Sequence, residues 1–180
     1  DFMALSEAES TEKYLSDYFA AKKAGEKYGI TVILGMEIRF KDDPNDYLVY
    51  GIDEKWCLEH ENIDKIPKLE LYQMLKDEGA LLIHAHPFRT IPTEITLFPQ
   101  FVNGTEIFNA SRTPFENELA KQFCENYKLA PFAGSDNHCA SEQKVLGGIA
   151  TERKIVDARD FRELVLSGQA RPFERSESGI

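Results

Sequence analysis

Cysteine is scarce in this sequence and no C-x-x-C pair occurs: Cys57, Cys124 and Cys139 are the only three in 180 residues. An odd, scattered set excludes a disulfide framework and a structural zinc knuckle, and points to a reducing compartment. Long apolar runs are also missing. The stretches 30–36 and 80–83 are strand-sized, far short of the roughly 20 residues that cross a bilayer. No basic segment followed by an apolar run opens the chain, so no signal peptide is read and a cytoplasmic protein is expected. Positive charge is in deficit. Against 31 Asp and Glu stand 21 Lys and Arg, giving a net charge of −10 and a pI near 4.9. Without a cationic surplus to release counterions, general affinity for nucleic acid is disfavoured. A bound metal ion can reverse the sign inside a site, so an anionic substrate is still compatible. Repeats, linkers and low-complexity tracts are absent too, and the length suits one domain over 1–180.

What is present is an alternation of helical and strand-like periods. A helix is expected over 6–28, with Ser6 and Glu9 spaced for a capping box and Gly29 placed to end it. Tyr14, Leu15, Tyr18, Phe19 and Ala21 make its apolar stripe. Strands are expected over 31–40, 47–52, 80–86, 104–109, 130–134 and 148–151. Helices are expected over 67–77 and 157–166, and another starts at Thr113-Pro114-Phe115-Glu116, where Thr caps and Glu reaches back. Such alternation implies an α/β fold with a mainly parallel sheet covered by helices, either a barrel or an open doubly wound sheet. In both, chemistry collects at the carboxyl ends of the strands.

Three expected strands end in groups that can hold a metal. One ends in Glu37, one in His84 and His86, and one in Asp136 and His138. Residues two apart on an extended strand share a side, so each pair can converge on one site. Imidazole and carboxylate suit zinc, manganese or iron. A lone acid after a strand is usually a cap, and an isolated H-x-H arises by chance. The coincidence of all three at strand ends carries the signal. The fourth histidine, His60, lies in a polar run and reads as solvated surface.

Gly35-Met36-Glu37-Ile38, His84-Ala85-His86-Pro87-Phe88-Arg89 and Gly134-Ser135-Asp136-Asn137-His138 together resemble the later motifs of the PHP domain, the polymerase and histidinol phosphatase superfamily. The resemblance covers nearly the whole chain, and its tail from 148 to 172 is similar to the end of that domain. It implies a distorted, TIM-like (β/α)7 barrel with two or three divalent metal ions at its C-terminal face. It also implies Glu37, His86, Asp136 and His138 as ligands. Asp46 stands nearest to where the family often carries a further histidine, and is either a ligand or a turn residue beside Pro44. His84 is expected as a neighbouring donor or substrate contact. The family's opening H-x-H and T-D-H strands have no counterpart here, so the sequence is expected to lack the first two strands and several ligands.

The function expected is hydrolysis of a small phosphate ester by a metal-activated water. Arg89 is a candidate phosphate clamp, with a loop-ordering salt bridge as the alternative. Asn109 faces the expected site or caps the following turn, and Arg112 is a weaker candidate. Ser135 reads as a turn residue, not a nucleophile. The competing expectation is a non-catalytic PHP-like module with a regulatory or assembly role, and a nuclease or editing role is disfavoured by the charge.

Overall fold

A computed structural model of the chain describes residues 11–40, 43–60, 62–90, 94–138 and 144–176. The expected Ser6–Glu9 capping box, Cys139 and part of the 87–99 loop lie outside these residues. The first expected helix is found as α1 (Thr11–Tyr14) and α2 (Ser16–Tyr28). Gly29 ends it at φ 67, a left-handed conformation that glycine adopts without a Cβ penalty.

The chain then forms β1 (Gly35–Arg39), β2 (Asp46–Tyr50), α3 (Glu54–Glu59), α4 (Lys68–Asp77) and β3 (Leu81–His84). It continues through β4 (Gly104–Asn109), α5 (Pro114–Tyr127), β5 (Ala130–Gly134), β6 (Val145–Thr151), α6 (Ala158–Leu166) and β7 (Ala170–Ser176). At α5 the expected capping box is made in full. The Thr113 hydroxyl accepts from the Glu116 amide, and the Glu116 carboxylate accepts from the Thr113 amide at 2.9 Å. The other Glu116 oxygen takes the Thr90 N–H at 3.0 Å, tying the loop after β3 to the start of α5.

Strands β1 to β5 form one sheet in chain order, and β6 and β7 pair separately. The α/β class is as expected, but the sheet is less parallel. β1–β2 and β2–β3 are antiparallel; β3–β4 and β4–β5 are parallel. The short connection from Phe40 to Asn45 can only turn the chain back, because a parallel pair needs a crossover of a dozen or more residues. Among the described residues the sheet does not close on itself.

Both faces of this sheet are covered. Met36, Ile38, Tyr47, Val49 and Leu82 join Trp56 and Cys57 of α3 and Leu71 and Leu75 of α4 in one buried cluster. Leu81, Ile83 and Phe132 join Phe161 and Val165 of α6 in a second. Alternation along each strand decides which side chains are left to do something else. Glu37 and Arg39 fall between Met36 and Ile38 and beyond them, so they leave the first cluster on its opposite face. No helix among the described residues is long and apolar enough to cross a membrane.

Candidate metal centre

Three side chains from neighbouring strands meet: Glu37 from the middle of β1 and not from its end as expected, Asp46 from the start of β2, and His86 from just past β3. Glu37, Asp46 and His86 each offer a ligand atom within 4.8 Å of the others. His86 Nε2 lies 3.5 Å from Asp46 Oδ2 and 3.9 Å from Glu37 Oε1. Ligand atoms around one first-row ion, with bonds of about 2.0–2.2 Å, stand roughly 3–4 Å apart. The oxygen and nitrogen donors therefore fit a divalent cation in spacing and in kind, which supports divalent metal use. Among the described residues, no other such group of three or more occurs.

The electrostatics favour a cation as well. Burial, together with the charges of Asp46, Asp136 and Glu106, pushes the Glu37 carboxyl up to about 7. Burial first, then Arg89, pushes the His86 imidazole down, keeping it in the neutral form that binds metal. Acids crowded this closely destabilise one another unless positive charge is brought among them.

Arginine supplies part of that charge. Arg39 pairs across the strands with Asp46, donating from Nε at 2.6 Å and from Nη2 at 2.8 Å. Arg89 Nη1 lies 3.0 Å from Asp46 Oδ2. Asp46 is thus both a potential ligand and the ion-pair partner of two guanidinium groups. Arg89 makes the salt bridge that was the alternative to a phosphate clamp.

His84 is not brought to the cluster, contrary to its expected role as a donor or substrate contact. Its ring is fully buried, stacked 5.2 Å from Tyr47, with Phe123 edge-on. Neither ring nitrogen has a hydrogen-bond partner, and burial pushes its pKa down to about 4. Strand periodicity would have sent His84 and His86 to the same side. The strand ends at His84, however, and His86 takes a positive φ of 29, so the two rings part. Asp136 and His138 pair with each other, Nε2 to Oδ1 at 3.0 Å. They lie outside the three-residue cluster, although both act electrostatically on Glu37. The His138 side chain is 86% exposed, beyond the end of β5. Arg112 Nη2 approaches Asp136 at 4.0 Å. His60, expected in solvent, stacks on Trp56 at 4.4 Å between ring centroids.

Two neighbours of the cluster escape a sequence reading. Arg39 shares the Glu37 face by the period-two rule, which was the available signal. Glu106 is buried, a lone acid within a strand; a carboxylate there with no cation nearby in sequence is itself a pointer to a site. A separate cavity of about 320 Å³ between α2, residues 32–34 and the start of α6 shares no residue with the cluster.

Comparison with solved structures shows that this fold is shared with known proteins. The chain matches a two-domain protein from Bacteroides vulgatus that contains a predicted PHP-like metal-dependent phosphoesterase, at TM-score 0.67 and 16% identity. That match covers 88% of this chain and 49% of the other, so the chain spans about half the length of that protein. PsfC from Pseudomonas syringae matches at TM-score 0.59 and 16% identity, over 83% of this chain and 61% of that one. No family model matches the chain, and no curated protein does.

Proposed function

We propose that the chain carries part of a metal-dependent phosphoesterase centre that hydrolyses a small phosphate ester. The convergence of Glu37, Asp46 and His86 on a PHP-like sheet carries this reading. Those three residues would hold the ion, with Asp136 and His138 as further ligands from beyond the end of β5. A divalent ion held there supplies an activated water near neutral pH and offsets the charge of a phosphoryl group. Arg89 and Arg39 hold Asp46 in place, and Arg89 is close enough to the cluster to exchange that carboxylate for a phosphoryl oxygen. His84 contributes packing. The open sheet, on this reading, is an arc of a distorted (β/α)7 barrel, and the protein is cytoplasmic and uses two or three ions.

A second reading has an observation of its own. Asp46 is already ion-paired with two guanidiniums, which suits a closed ion-pair network in a non-catalytic PHP-like module with a regulatory or assembly role. Turnover separates the two. The enzyme reading predicts release of phosphate from p-nitrophenyl phosphate, abolished by chelator and restored by manganese, with an oligonucleotide hydrolysed more slowly. Metal binding without turnover of either substrate supports the module instead.

A further inference from the structure

Glu106 takes no part in the three-residue cluster, yet it sits beneath it. The residue is only 5% exposed, and so deep a carboxylate is costly unless it is hydrogen-bonded. One oxygen, Oε2, accepts the backbone N–H of His86 at 2.9 Å and the Nδ2 amide of Asn109 at 3.0 Å. That same amide lies 3.4 Å from Asp136 Oδ2. The other oxygen, Oε1, occupies the space that a Cβ on residue 134 would need, so any larger residue there would have to displace the Glu106 carboxylate. A single side chain on β4 therefore touches the ends of β3, β4 and β5.

Those ends need holding. His86 has φ 29 and Asp136 has φ 47, both in the left-handed region that residues with a side chain seldom adopt. Asn109 is itself fixed, its Oδ1 taking the Ser111 N–H at 2.9 Å and its own N–H reaching Asn117 Oδ1 at 3.0 Å. The acceptor for the His86 peptide is Glu106. The His86 carbonyl takes the Arg89 N–H at 3.0 Å and the Ala85 N–H reaches the Asp46 carbonyl at 3.0 Å, so what Glu106 alone supplies is the acceptor for the His86 N–H.

We propose that Glu106 is a positioning residue, whose buried carboxylate oxygen fixes the His86 peptide and the Asn109 amide and thereby aims His86 and Asp136 at a divalent cation. The inference rests on the metal reading for its purpose, but not for its geometry. Partners that orient a ligand in this way commonly change metal affinity 10- to 100-fold when removed.

Glu106→Ala and Glu106→Gln test it, using Mn2+ as the probe and amide spectra of the metal-free protein. Glu106→Ala is expected to weaken Mn2+ binding about 10- to 100-fold and to move the His86 amide resonance upfield. Glu106→Gln keeps an acceptor oxygen and is expected to restore both most of the way. A folded Glu106→Ala that binds Mn2+ like the parent, with the His86 amide unmoved, overturns the proposal. If Glu106→Ala does not fold, Glu106→Leu decides, since it fills similar space without an acceptor: an upfield shift of the His86 amide supports the proposal, and an unmoved one overturns it. Absence of Mn2+ binding by the parent chain counts against the metal reading alone. The amide comparison still answers whether Glu106 holds His86.

Discussion

Single side chains decide what this sheet end can do, and His84 shows how sharply. It sits two residues from His86, yet it faces Tyr47 and Phe123 in the core, without a hydrogen bond. Its stacking is worth roughly 0.5–1.5 kcal/mol, while leaving a buried polar group unpaired costs about 1–3 kcal/mol. His84→Leu, close to it in volume, is therefore expected to melt at the same temperature or a few degrees higher and to bind metal within twofold of the parent. A large fall in melting temperature, or loss of Mn2+ binding, would show that the imidazole itself is used. His86 lies past the strand's end with a positive φ of 29. Its left-handed turn carries it to Asp46, and no residue-type rule foretells a positive φ at a non-glycine position.

At the scale of elements, the hairpin of β1 and β2 is anchored from the side opposite the cluster. The Asp43 carboxylate accepts from the Tyr47 hydroxyl at 2.7 Å, Lys68 Nζ at 2.6 Å and the Asn45 amide N–H at 3.0 Å. Burial by itself would raise its pKa; the Lys68 ammonium and the two other donors outweigh that and hold it below the ordinary carboxylate range. Because the folded state holds the proton less tightly than the unfolded chain, stability from Asp43 is present above about pH 4 and is lost as pH falls through the folded pKa. Asp43→Asn is expected to cost about 1–3 kcal/mol at pH 7, because Lys68 is left without its charge partner. The difference from the parent should shrink below pH 4. Urea unfolding at pH 7 and at pH 3 checks this; an equal deficit at both pH values would mean that Asp43 acts by shape and not by charge.

Over the whole molecule, legibility follows how local the controlling physics is. The α5 start was readable because Thr113, Pro114 and Glu116 interact within one turn. Strands 104–109 and 130–134 were readable because buried strands carry their own apolar signature. The antiparallel β2–β3 pairing was not, since its direction depends on how the long connection through α3 and α4 returns. The same holds for the site. Glu37, Asp46 and His86 could be nominated from strand ends and motif resemblance, and they meet. Glu106 could not be assigned a partner, because it acts across strands on a residue 20 positions away, whereas Arg39 meets Asp46 only once the β1–β2 register is known.

The central claim is that Glu37, Asp46 and His86 together hold a divalent ion. Mn2+ titration of the chain, followed by electron paramagnetic resonance, tests it most directly when repeated on His86→Ala and Glu37→Gln. The account predicts at least one bound ion per chain, with affinity lowered at least tenfold in each variant and lost in His86→Ala. No bound Mn2+ in the parent, or binding that survives His86→Ala unchanged, would contradict it.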